Sequence, residues 1–227
     1  QLIEHLQQEI RHFSLKYSEI EIINPETNNL PVFNSKYDAD LVKKIYSKNK
    51  VICSKDNDAW DINFFSMFHL TSDSHLFKSE NLNNNNLPLY EGKMFYQYDH
   101  RYASYNEDSD VRLHMLPKTE LASYLNPLFR IKSSFFIDKK ITLERIQEKI
   151  KYNWYFAFRS ISSGQLERTI LSTILPLTAA GNTLTIIILS QGSSLDYSIL
   201  LSALNSFPFD YIARQKLSGA SLNNYKI

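Results

Sequence analysis

The sequence predicts an α+β fold, a mixed sheet with peripheral helices, and three observations lead there. Apolar residues recur at helical spacing near both ends, and a strongly β-forming block fills residues 154–189. At 227 residues and 43% hydrophobic content, the chain can bury a real core.

Leu2, Leu6, Ile10 and Phe13 predict a first helix over about 2–15, and the cluster Asn24-Pro25-Glu26-Thr27-Asn28-Asn29 predicts the turn that follows. Leu41, Val42 and Ile45 form one apolar stripe of a second helix, for which Asp38 or Asp40 can serve as cap. Residues 60–77 read as extended and end in the polar loop 80–86. A Tyr-rich ribbon spans 88–105, and Asn106-Glu107-Asp108-Ser109-Asp110 reads as a solvated loop. Residues 117–125 predict a short helix, 128–137 a strand, and Leu143, Ile146 and Ile150 an amphipathic helix. Three buried strands follow at 154–158, 169–175 and 183–189, with a turn around Gly181-Asn182. The end is helical: Leu200, Leu201 and Leu204 share a stripe, Pro208 suits a first helical position, and Gly219 marks a stop.

Composition narrows the setting. The single cysteine, Cys53, excludes an intrachain disulfide framework, and no apolar run approaches the roughly 20 residues of a membrane helix. A reduced, cytoplasmic environment is expected. The chain opens at Gln1 inside an amphipathic stretch, as a piece cut from a longer protein would. Net charge is only +1, but residues 1–110 hold 11 Lys+Arg against 17 Asp+Glu, leaving 14 against 7 for residues 111–227. A basic half is mild support for a polyanionic partner.

The ribbon at 88–105 interleaves tyrosines with Lys93, Gln97, His100 and Arg101. Rings can stack on unpaired bases, while guanidinium and amide forks bond base edges or phosphates in fixed geometry. The competing reading is a Tyr-rich core strand. On a strand, Tyr96, Tyr98 and Tyr102 would face opposite Gln97 and Arg101, so one of the two sets would be core.

Other chemistry is poorly represented. Five scattered glycines build no nucleotide-binding turn, so no cofactor site is expected in this segment. Asn126-Pro127-Leu128-Phe129 approaches the Asn-Pro-Pro-Tyr/Phe loop of adenine methylation, but Leu128 replaces the second proline and a helix-to-strand turn is the better reading. No catalytic residue is assigned. Glu91-Gly92-Lys93 offers half of a metal-nuclease site, without a persuasive second half. His69, Asp73 and His75 match no common metal spacing and read as a surface turn.

Several separated motifs resemble one family: the region that follows the catalytic domain in adenine-specific DNA methyltransferases of restriction-modification and phage-defence systems. They include Ile23-Asn24-Pro25-Glu26-Thr27, Ser72-Asp73-Ser74-His75-Leu76-Phe77, the ribbon at 88–105, Phe158-Arg159, Glu167-Arg168-Thr169 and Gly181-Asn182. Leu204-Asn205-Ser206, Phe209-Asp210-Tyr211, Arg214-Gln215-Lys216 and Gly219 complete the series, the last part also resembling restriction specificity subunits. Ser160 stands where the family often carries Asp. The resemblance implies a helical lead-in at 1–50, connecting to an upstream methyltransferase domain, and a DNA target-recognition domain at 51–227. It also implies double-stranded DNA as partner and S-adenosylmethionine as cofactor of the parent enzyme. Side-chain chemistry then makes Lys93, Arg159, Arg168, Arg214 and Lys216 candidates for phosphate or base contacts, and Gln97, His100 and Arg101 for reading or filling the duplex, while a Glu167-Arg168 pair beside buried strands can equally brace the fold. The alternatives are a metal-dependent nuclease around Glu91 and Lys93, and a protein-docking module of a DNA-defence complex that uses the terminal helices.

Overall fold

The computed structural model describes residues 4, 7–9, 12, 14–25, 28–31, 33–49, 51–52, 60–80, 85–106, 115–217 and 219–222. In chain order its elements are α1 (Tyr17–Ile23), α2 (Lys36–Tyr46), β1 (Ile62–Phe65), β2 (Asn86–Tyr90), α3 (Leu121–Leu125) and β3 (Phe136–Asp138). Then come α4 (Lys139–Ile146), β4 (Trp154–Arg159), β5 (Ser172–Pro176), β6 (Ala179–Ala180), β7 (Leu184–Leu189), α5 (Ser194–Leu204) and α6 (Phe207–Lys216). This is an α+β fold with two sheets. The chain forms two units, one of residues 1–62, 162–169 and 207–227, the other of 63–161 and 170–206. Among the described residues no helix is long and apolar enough to cross a membrane. The helix predicted over 2–15, the acidic loop after Asn106, and Cys53 lie largely or wholly outside the described residues.

In the first unit, Ser35 caps α2 by accepting the Asp38 backbone N–H at 3.2 Å, and its hydroxyl donates to the Asp38 carboxylate. Asp38 is thus the third helical residue, not the cap, and Asp40 pairs with Lys43 at 3.1 Å. Ala39 and Val42, three apart on α2, are buried. The Tyr211 hydroxyl of α6 donates to Asp38 at 2.6 Å, and that bond is the main cause holding the Asp38 carboxyl below its usual range.

The second unit is built on a four-stranded sheet in the order β1-β7-β4-β5. β4 runs antiparallel to both neighbours, pairing Phe156 with Ile187 and with Ile174. Tyr155 and Ala157 enter the main core with Leu175, Leu184 and Ile186. Phe156, on the opposite face, meets Tyr197 of α5 edge-on at 6.4 Å. With both faces covered, β4 and β7 read as near-continuous apolar runs, which made them legible in the sequence. A second sheet, β3-β2-β6, is mixed: β2 is antiparallel to β3 and parallel to β6.

Three predicted extended segments are mostly irregular. Of 60–77, only Ile62–Phe65 is a strand, and Ser74–Leu76 form a 3-10 turn. Of 128–137, only Phe136 and Ile137 belong to a strand, which runs on to Asp138. Before it, the Asn126 side chain accepts the Leu128 N–H at 2.9 Å and its carbonyl accepts that of Phe129, closing the expected turn. The ribbon ceases to be a strand at Tyr90. A 3-10 turn covers Gly92–Met94, and Tyr98 has φ 61, so strand alternation does not govern the side chains beyond it. Gly92 is required where it sits, because a Cβ there would lie 2.6 Å from the Thr183 carbonyl oxygen.

Asp73, part of the predicted surface turn, is a buried brace. It accepts the His69 N–H at 2.7 Å and takes Arg145 Nη1 and Nη2 at 3.1 and 2.7 Å. Arg145 also donates to the Met67 carbonyl at 2.8 Å and lies 4.4 Å from the Phe68 ring. The Arg145 hydrogen bonds are the main cause lowering the Asp73 carboxyl to about 2. Because this folded pKa is depressed, its stabilisation is complete above the unfolded value and fades as pH falls through about 4 towards 2. Asp73→Asn should therefore cost about 1–2 kcal/mol at pH 7 and flatten the acid limb, as read by urea unfolding from pH 7 to 2.

Candidate nucleic-acid interface

Three segments of the second unit lie side by side. Ala103 bridges to Lys118, the Thr119 N–H donates to the Tyr102 carbonyl at 2.8 Å, and the Ser104 N–H donates to that of Pro117 at 3.1 Å. On the other flank the Tyr105 N–H donates to the Lys132 carbonyl at 3.2 Å, and the Lys132 N–H donates to the Ser104 hydroxyl at 2.8 Å. The Asp99 carboxylate tightens the turn, accepting the Arg101 N–H at 2.8 Å and the Tyr124 hydroxyl at 2.5 Å.

This stitching gathers cations and rings. The Arg101 guanidinium lies 5.3 Å from the Tyr124 ring, Lys118 Nζ lies 5.4 Å from the Tyr102 ring, and Tyr102 stacks on Tyr96 at 4.8 Å. Lys118, Arg130 and Lys132 are solvent-exposed, Arg101 is half-buried, and Tyr98 is 59% exposed. Burial first, and then the fields of Arg101 and Arg130, hold the His100 imidazole below its usual range, with Asp99 opposing them. Four formal cations stand against Asp99 and Glu120 on the described parts of these segments. Exposed Leu121, Leu125 and Leu128 adjoin them in sequence.

The residues selected from the sequence have unequal fates. His100 and Arg101 fall on this face. Lys93 is half-buried, 3.3 Å from Glu91 Oε2 and 5.0 Å from the Tyr105 ring, and Glu91 Oε1 accepts the Tyr105 hydroxyl at 2.8 Å. Gln97 donates its amide to the Ile170 and Asn205 carbonyls at 3.3 and 3.4 Å. Arg159 donates to the Gly92 and Phe95 carbonyls at 2.6 and 2.9 Å, tying the ribbon to β4.

Arg168, Arg214 and Lys216 belong to the first unit. Arg168 is 8% exposed, with Nε 3.7 Å from Asp210 Oδ1 and its guanidinium 4.5 Å from the Phe207 ring. Arg214 reaches Asp210 at 3.5 Å and donates to the Leu166 and Glu167 carbonyls. Lys216 is buried against the Tyr46 ring, and desolvation lowers its ammonium to about 8. Lys93, Gln97, Arg159, Arg168, Arg214 and Lys216 therefore have partners within the fold, and the candidate face rests instead on Arg101 with Lys118, Arg130 and Lys132. The sequence signal for the last three was the basic second half of the chain, which carried no position.

Comparison with protein-family models, with curated proteins and with solved structures finds no match for this chain. Among the described residues no group of three or more His, Cys, Asp or Glu side chains is gathered to hold a metal ion.

Proposed function

We propose that this chain is the sequence-specific DNA-recognition segment of an adenine-specific DNA methyltransferase of the restriction-modification type. It presents the target adenine to an S-adenosylmethionine-dependent domain of the parent enzyme. The cation-and-ring face formed by residues 98–105, 117–124 and 130–132 carries this reading. Lys118, Arg130 and Lys132 grip phosphates and set register. Arg101, steadied on the Tyr124 ring, can present its fork to a base edge, and the exposed Tyr98 can pack against sugar or base. The ordered motif series from Ile23 to Gly219 supports the methyltransferase context.

The test is duplex binding at low salt by the full chain. Arg101→Ala with Lys118→Ala should weaken affinity by about tenfold or more while circular dichroism and unfolding midpoint hold. Equal affinity in a folded variant would overturn the reading. One observation favours a second reading, a protein-docking module: Leu121, Leu125 and Leu128 are 74%, 77% and 80% exposed. Loss of a protein partner in Leu121→Ser with Leu125→Ser, in a chain without DNA affinity, would favour it.

A further inference from the structure

We propose that a cleft in the second unit, between β1, the turn at 147–152 and the turn at 190–192, is a separate site that takes an unpaired nucleotide. The cleft encloses about 790 Å³, within the range of roughly 300–1,000 Å³ typical of small-ligand sites. Its residues are distinct from those of the cation-and-ring face, so it goes beyond the function proposed above.

The lining has the two chemistries a nucleotide needs. Phe65, Tyr152 and Tyr197 supply rings. Tyr152 lies parallel to Trp154, at 4.6 Å and 2° between planes, and Tyr197 meets both edge-on, so the aromatic wall is fixed before any ligand arrives. Lys149 Nζ sits 5.1 Å from the Phe65 ring and Lys151 Nζ 5.7 Å from the Tyr152 ring. Two of the three rings, Phe65 and Tyr152, thus have an ammonium beside them, a pairing that suits a flat base and its phosphate together. Glu148 is the one carboxylate among the lining residues.

The turn that carries these lysines is unusual. Glu148 adopts φ 67, a left-handed conformation that non-glycine residues seldom take, and the Lys149 and Ile150 N–H groups both return to the Ile146 carbonyl. Asn63, also in the lining, donates to the Ser190 hydroxyl at 3.1 Å, and Gln191 adds a second amide. Amides of this kind read base edges. A base in duplex has both faces stacked and cannot offer one to these rings, so the ligand is an unpaired nucleotide, free or within a single strand.

Isothermal titration calorimetry of the full chain against adenosine monophosphate and a single-stranded deoxyadenosine octanucleotide tests the site. Saturable binding is expected for at least one probe. Adenosine monophosphate binding as tightly as the octamer assigns a free nucleotide, and binding of the octamer alone assigns a strand. Lys149→Ala with Lys151→Ala, or Asn63→Asp at the exposed wall, should weaken the bound probe by at least about tenfold and leave duplex affinity unchanged. No saturable binding of either probe, or wild-type binding in both variants, overturns the proposal and leaves the duplex result standing on its own.

Discussion

Replacing Asp210 by alanine is expected to destabilise the first unit by about 3–5 kcal/mol, the cost of stripping a buried ion pair of one partner. Asp210 is 6% exposed and is the hub of its surroundings. Oδ1 accepts the buried Thr169 N–H at 2.7 Å and lies 3.7 Å from Arg168 Nε, while Oδ2 lies 3.5 Å from Arg214. Alanine would leave the Arg168 guanidinium buried without its counter-charge and the Thr169 N–H without its acceptor. Adding Arg168→Met should restore part of the loss, since a well-packed apolar residue replaces a stranded charge. Urea unfolding reads both variants. A loss under about 1 kcal/mol for Asp210→Ala would show that Arg168 is held by other means.

Arg159→Ala is expected to cost about 2–5 kcal/mol, because the Gly92 and Phe95 carbonyls each lose a charged donor in a place water reaches poorly. The turn at Gly92 is anchored twice, by this guanidinium and by the Thr183 hydroxyl that accepts the Gly92 N–H at 2.8 Å. The loss should therefore appear as global destabilisation together with faster exchange of the Gly92 to Phe95 amides. A DNA-contacting Arg159 would behave oppositely, keeping its unfolding midpoint and losing duplex affinity. Calorimetric melting beside a binding titration distinguishes the two roles.

The contrast between charge and role explains what the sequence could convey. β4, β7 and α5 were legible because burial on two sheet faces, or the Leu200/Leu204 stripe, is written in local pattern. The cap of α2 was not, since Ser35, Asp38 and Asp40 all carry side-chain acceptors and only geometry assigns the role. The ribbon looked continuous because nothing local reveals that Gly92 passes under the Thr183 carbonyl. For the cations the missing information was distance: Arg168 finds Asp210, 42 positions away, and Arg159 finds carbonyls more than 60 positions earlier. A cation with a partner brought from afar reads in sequence like one awaiting phosphate. Lys118, Arg130 and Lys132 stand in no motif, and only the backbone pairing of Lys118 with Ala103 and of Lys132 with Tyr105 brings those two segments to the 98–105 turn.

The salt dependence of duplex binding by Arg101, Lys118, Arg130 and Lys132 decides whether this face grips DNA. A plot of log affinity against log salt for the wild type should slope at about −3, because Lys118, Arg130 and Lys132 reach phosphates while Arg101 reads a base edge, and alanine at all four should bring the slope close to zero. An unchanged slope in a folded quadruple variant would mean that the polyanion, if bound at all, is held elsewhere.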